Sequence, residues 1–442
     1  MWYEFAGFRF DPDRGLERGN RRIHLARKEH RLLQALLAAG GRLLTKEVIA
    51  REVWDGAAIS DDSIFRAVYV LRQSLARESD GIDPIATAHG RGFRIAVPIG
   101  TPEAPSASAH ANVTRSAVPA AVESLMLAIE YRGRRSPEDM AIAIEATRRA
   151  IRIDPGYVQA WSMLAELHII EGTRWHEPPR TAFASASEAA SRALELDPAA
   201  PAALATAGFA TLVLRHDFTK ALELLDRALA IDPSFVTGLS FRGYVLGTLG
   251  RTDLGERDLR AALEVNPMAP LAHACLVGGL AMQGRFDEAM EEMRAFAVNS
   301  PTMDGNLNIW ALVAAFGGIE DEAIAAGRRA METSPHTSLM HLGFLYALVA
   351  GGRTDDARGI LEDMRAAEIP APPSALAPAL LRLGDRDGAI EMIARGRDAR
   401  CVQYLYSDLD PRLAELASDP ALDHLWSDLR AARRACLASR GD

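Results

Sequence analysis

Cysteine is scarce in this chain: Cys275, Cys401 and Cys436 are the only three in 442 residues. They are widely spaced, odd in number and form no Cys-x-x-Cys pair. That excludes a disulfide framework, a thiolate metal knuckle and a redox dithiol, and it fits a reducing cytosol. Lysine is equally rare. Of 50 basic residues only Lys28, Lys46 and Lys220 are lysines, and none stands in a Gly-x-x-x-x-Gly-Lys-Ser/Thr loop. Gly-x-Ser-x-Gly and His-Glu-x-x-His are also absent. No hydrophobic run is long: Ala202–Leu214 stops at Arg215, short of the ~20 residues that cross a bilayer. Met1 leads straight into strand-like Trp2-Tyr3-Glu4-Phe5, with no basic n-region or apolar h-region. These absences predict a non-enzymatic cytoplasmic protein with no cofactor, no metal and no membrane contact. His168 and His176 flank a proline-rich stretch and read as surface or capping residues before they read as metal ligands.

What the chain does have is a proline rhythm. Asp/Asn/Ser-Pro recurs at Pro155, Pro198, Pro233, Pro267, Pro301 and Pro335, at steps of 43, 35, 34, 34 and 34 residues. A period of ~34 is that of the tetratricopeptide helix-turn-helix repeat. Glycine recurs at Gly250, Gly284, Gly318, Gly352 and Gly384, where it would turn the first helix of each pair into the second. The residue 22 positions after Pro233, Pro267, Pro301 and Pro335 is small in all four cases: Gly255, Ala289, Ala323 and Ala357. Side chains that small predict a close crossing of two helices. The 43-residue step reads as an insertion around Trp175–Pro179, an elongated turn rather than a ligand site. The segment from Leu409 through Pro420 and onward reads as the cap that a terminal repeat needs. About seven or eight helix pairs are expected.

Charge divides the chain differently. Residues 1–98 carry 16 basic and 13 acidic side chains, against 34 and 46 in the remainder, so a slightly basic module precedes an acidic one. Within that module, residues 3–25 alternate apolar and polar around turn residues and predict a short antiparallel sheet. Three helices follow, over about 27–39, 45–54 and 60–77. The first buries Leu32, Leu33, Leu36 and Leu37, and the second takes Thr45 as N-cap. Residues 85–97 then read as two strands joined by a glycine turn. Residues 99–120, rich in Pro, Ala and Ser, predict a flexible linker.

The third helix carries the functional signal. At 100° per residue Ile64, Val68, Leu71 and Leu75 share one face and form its core stripe. Asp62, Arg66, Tyr69, Val70, Gln73 and Arg77 fall opposite. Arg and Gln can make bidentate bonds to guanine and adenine edges, and an apolar side chain can meet a thymine methyl. Arg72 and the hairpin residues Thr87, His89, Arg91 and Arg94 would flank the helix, suited to phosphates or the minor groove.

The stretches Leu43-Leu44-Thr45-Lys46-Glu47, Glu52-Val53-Trp54, Val68-Tyr69-Val70-Leu71-Arg72-Gln73-Ser74-Leu75 and Ile85–Arg94 resemble the OmpR/PhoB-type winged-helix effector domain. The resemblance implies that the third helix enters the major groove and the hairpin wing touches the minor groove. Carried over by position, it puts Arg66, Ala67, Tyr69, Val70 and Arg72 on the DNA side, Trp54 on the phosphate backbone, and Thr87 and His89 at the wing. The loop Asp55, Gly56, Ala57, Ala58, Ile59 and Ser60 would contact RNA polymerase. A winged helix first and a protein-binding part after it resembles the soluble branch of the HilA/CadC-like bacterial regulators.

The expected architecture is therefore mainly α. A small α+β winged helix-turn-helix domain (1–98) and a linker (99–120) lead into an all-α tetratricopeptide-like solenoid with a C-terminal cap (121–442). The expected function is a transcription regulator. Its partners would be double-stranded promoter DNA, RNA polymerase, and a protein or peptide on the repeats, with room for a homodimer. The alternative is a non-enzymatic interaction scaffold whose winged helix is vestigial or binds protein.

Overall fold

Alternation in the opening stretch produces four short strands in an antiparallel meander: β1 (Tyr3–Phe5), β2 (Phe8–Asp11), β3 (Gly15–Arg18) and β4 (Arg21–Ile23), in sheet order 1-2-3-4. The computed structural model describes every residue except 1, 13–14, 19–20, 24, 55–60, 77–83, 89–91, 98–115, 117, 133–135, 267–268, 300–310, 312, 316, 334–337 and 442. The chain splits into two units, Met1–His110 and Ala111–Asp442. In the first, Tyr3, Phe5, Phe8, Phe10 and Leu16 all point to the buried side of the meander, as a period of two requires. The other side pairs Glu4 with Arg9. Helices α1 (Arg27–Ala38), α2 (Lys46–Trp54) and α3 (Asp61–Ala76) follow. Leu32, Leu33, Leu36 and Leu37 of α1 close on Ile49, Val53, Ile64, Val68, Leu71 and Leu75 in one core. The Val48 amide donates to Thr45 Oγ1, 3.4 Å away, so Thr45 sits where an N-cap should.

The hairpin comprises β6 (Ile85–Ala88) and β7 (Gly92–Ile95). A third strand, β5 (Leu44–Thr45), joins it in the order β5-β7-β6, with Thr45 opposite Gly92 and Leu44 opposite Phe93. Two residues are too few to show a period, and the sequence reading placed only a helix start there.

The second unit is a run of helix pairs: Pro119–Arg132 with Pro137–Ile153, Val158–Arg174 with Pro179–Leu196, Pro201–Arg215 with Phe218–Ile231, and Val236–Thr248 with Thr252–Val265. Pro270–Met282 with Phe286–Asn299, Ser338–Ala350 with Thr354–Ala366, and Pro373–Arg382 with Arg386–Asp398 continue it. Helix Glu320–Thr333 follows residues 300–319, many of which lie outside the described residues. The proline rhythm has a local cause at the three sites described. Asp154, Asp197 and Asp232 each end a helix in extended conformation. Their carboxylates accept from the amides of Gly156, Ala199 and Ser234 at 3.1, 2.9 and 3.0 Å. The following proline cannot continue the helix, so each Asp-Pro makes a fixed stop. Pro267, Pro301 and Pro335 lie outside the described residues. Ala289, Ala323 and Ala357 are fully buried in second helices. At Gly255 a Cβ would stand 2.7 Å from the Gly243 carbonyl of the partner helix, so the crossing there excludes even alanine. Ion pairs stitch neighbouring helices: Arg242 bridges Asp226 and Asp258 at 3.0 and 2.6 Å.

Two expectations for this unit need correcting. The 43-residue step is not an elongated turn. Its helices have 17 and 18 residues, and the link between them is only 175–178. Proline did not break the structure because Pro179 takes the first helical position, whose N–H would have no partner anyway. Nor does the C-terminal segment cap the last pair alone. Residues 401–440 fold back onto pairs three and four: Tyr244 Oη donates to the Val402 carbonyl at 3.0 Å, Arg440 pairs with Asp226 at 2.7 Å, and the Arg433 guanidinium lies over the Phe218 ring. One hydrophobic core runs from Ile169 through Phe241 to Trp426 and Cys436.

This back-folding buries His216, held at φ 56 after helix Pro201–Arg215, against the Tyr404 ring. Arg400 Nη1 stands 3.0 Å from its Nε2. Burial first, and the Arg400 charge second, depress the imidazole to about 4. Between pH ~6.5 and 4 the unfolded chain takes up a proton that the folded one refuses, so stability is present above 6.5 and lost as pH falls. The loss should approach roughly 2–3 kcal/mol. His216→Asn, which tolerates the left-handed backbone, should reduce the slope of melting temperature against pH over that range. An unchanged slope would remove His216 from the account.

Candidate nucleic-acid interface

Helix α3 has two sides of opposite character. Ile64, Val68, Leu71 and Leu75 are 3% exposed or less, whereas Tyr69 is 62% and Val70 38% exposed. An exposed aromatic beside an exposed valine costs apolar hydration and does nothing for this core. Arg66 and Gln73 lie on the same helix one turn either side of them by register; their side chains fall outside what the structure describes. The same holds for Thr87 on β6. His89, Arg91 and the whole loop 55–60 are outside the described residues, and with them the wing tip and the polymerase-contact positions.

Two positions carried over by resemblance land elsewhere. Ala67 is buried, 6% exposed, in the core of the domain. The reason is geometric: at 100° per residue it falls about 40° from Leu71, on the edge of the core stripe. Arg72 is half-buried, and its Nη2 donates to the Ile85 carbonyl at 2.6 Å. That bond ties α3 to β6, so Arg72 positions this helix against the β6–β7 hairpin. Trp54 is half-buried at the end of α2, packed on the core with the Lys28 ammonium 5.4 Å from its ring centroid. Arg94 lies half-buried on β7, opposite Ala86.

The structure also shows what sequence reasoning missed. The repeats were expected to hold a protein or peptide, yet at pairs three and four the surface around Tyr244 and His216 is covered by residues 401–440. The signal was the aromatic content of that tail, Tyr404, Tyr406 and Trp426, at spacings the repeat does not use. At the other end, the first pair leaves Val118, Met126, Leu127, Ile129 and Ile142 exposed. Burial pushes the Cys401 thiol up to about 11 and that of Cys275 to about 12, which makes both poor nucleophiles at neutral pH. Among the described residues no helix is long and apolar enough to cross a membrane.

Comparison with known proteins agrees with this division. Residues 20–95 match the family "Transcriptional regulatory protein, C terminal", and residues 242–304 match "Tetratricopeptide repeat". The chain thus carries an OmpR/PhoB-type domain at its N-terminal end and tetratricopeptide repeats after it. Over 110 residues it is 29% identical to the transcriptional regulator HilA of Salmonella typhi and of Salmonella typhimurium. That match covers 24% of this chain and 20% of the relative, so the chain spans about a fifth of the length of the curated relatives it matches. Among solved structures it is similar to PilW, a type IV pilus biogenesis factor, at 20% identity over 51% of this chain and 98% of that one, with a TM-score of 0.37. Yeast Tom70 matches at 20% identity over 71% and 68%, with a TM-score of 0.43.

Proposed function

We propose that this chain is a sequence-specific DNA-binding transcription regulator of the bacterial cytoplasm, acting at the nucleoid. Helix α3 reads a promoter in the major groove and the β6–β7 wing lies along the minor groove. Loop 55–60 meets RNA polymerase. The repeats supply the protein-binding or dimerising half. Their partner surface lies away from the part of pairs three and four that the chain itself occupies. The observation that carries the reading is the exposed Tyr69-Val70 pair on a helix whose other side, at Ile64, Val68, Leu71 and Leu75, is core, in a domain of this family. An aromatic edge and a branched methyl group suit base edges and thymine methyls.

The test is selection of bound fragments from genomic DNA with the full chain, followed by titration of the recovered site and a scrambled one. Tyr69→Ala should weaken the specific site by roughly 1–3 kcal/mol and leave the salt-dependent, non-specific component nearly unchanged. Equal wild-type affinity for recovered and scrambled DNA would sink the regulator reading. It would favour the alternative that the apolar character of residues 69–70 also suits, a winged helix that binds protein.

A further inference from the structure

One cluster of donor atoms gathers at the link between the two long helices of the second pair. His168 and Glu171 stand one turn apart on helix Val158–Arg174. Trp175, in the left-handed region at φ 61, reverses the chain and brings Glu177 back beside them. One ring nitrogen of His168 and one carboxylate oxygen from each glutamate lie within 4.8 Å of one another. His168 Nδ1 and Glu171 Oε2 are 3.0 Å apart. His168 is buried, and the Glu171 side chain is only 17% exposed.

We propose that His168, Glu171 and Glu177 form a binding site for a divalent transition-metal ion of the zinc class. Two carboxylates held this close repel each other in a partly desolvated pocket, and a cation between them reverses the sign of that interaction. An imidazole among the donors favours zinc, cobalt or nickel over calcium and magnesium, which take oxygen ligands. Zinc bonds of ~2.0–2.2 Å place tetrahedral ligand atoms ~3.3–3.6 Å apart, so the glutamates need only small rotations. A second observation points the same way. His176 lies in the same link, its amide donating to the Glu171 carbonyl at 3.0 Å. Both its ring nitrogens are buried, with no hydrogen-bond partner among the described residues. His176 does not belong to the 4.8 Å cluster, so it would join His168, Glu171 and Glu177 as a fourth donor only after its ring turns toward them. Arg174 and Glu138 are the other charges facing it. The ion would fasten the end of one helix to the start of the next, a structural role independent of DNA reading.

Full-length protein, stripped with a chelator and titrated with zinc chloride in a calorimeter, should bind one ion per chain at this site and melt at a higher temperature. Cobalt chloride should give the visible absorption of a low-coordinate nitrogen–oxygen site. Glu177→Gln, in the link and outside the core, should fold normally and weaken binding at least ~10-fold. His168→Ala should abolish the cobalt spectrum. A wild-type protein with no zinc heat and no cobalt spectrum would overturn the proposal. So would binding that survives both substitutions, since the ion would then lie elsewhere.

Discussion

Asp408→Ala should bring down the melting transition of the helical repeats by several degrees while leaving that of the N-terminal unit in place. The Asp408 side chain is 3% exposed and accepts from Arg433 Nη1 at 2.7 Å and from Arg430 Nε at 3.2 Å. Arg433 is itself buried, donates through Nη2 to the Leu405 carbonyl, and covers the Phe218 ring. Removing the carboxylate strands a guanidinium inside the unit, which costs about 3–5 kcal/mol, far more than an exposed ion pair would. The loss would not stay local. Arg433 belongs to the segment that joins Phe218, Tyr244 and Trp426 in one core, so loosening it opens pairs three and four as well. Replacing both partners together, Asp408→Leu with Arg433→Met, should recover much of the loss, because no charge is then left unpaired. If the single variant melts like the wild type, the back-folded segment is not what holds these repeats.

That segment also marks where sequence reasoning ends. The repeats could be read because each Asp-Pro stop and each small crossing residue acts on its own helix pair, so a local rule recurs at a constant period. The contacts of residues 401–440 obey no period: Tyr244 meets Val402 across 158 positions, and Arg440 meets Asp226 across 214. Nothing near any of the four residues signals its partner. Helix α3 teaches a similar lesson on a smaller scale. Helical geometry alone assigned Ile64, Val68, Leu71 and Leu75 to the core and Tyr69 and Val70 to the outside, as the structure has them. Inheritance by position put Ala67 and Arg72 with the DNA, where packing has claimed the first and the wing strand the second. Of the candidate site, the exposed Tyr69-Val70 pair was therefore visible in the sequence. The bond that orients it was not, because it depends on a strand 13 residues away.

Gly92→Ala should abolish specific DNA binding although Gly92 touches no base in the proposed reading. Its backbone stands at φ +151, and a Cβ there would sit 1.8 Å from the Leu44 carbonyl oxygen and 2.9 Å from the Thr45 Cα. Those are main-chain atoms of β5, so no side-chain rotation relieves the clash: either β5 or β7 has to leave the sheet. Displacing β5 moves Thr45, which caps the first turn of α2, while displacing β7 disturbs β6 and with it the Ile85 carbonyl that holds Arg72 of α3. Both routes end at the reading helix. Clash and strained backbone together should cost at least ~3 kcal/mol, a large share of the ~5–15 kcal/mol that stabilises a domain of this size. Titration of the recovered site, with melting of the N-terminal unit followed separately, would check it. Full-affinity binding by Gly92→Ala would show that the wing can be lost without disturbing α3, and Arg72 would then lose its role as the positioning link. Loss of sequence preference, with salt-dependent binding to any duplex retained, would show the reverse: α3 still reaches the DNA but no longer lies in register with the base edges.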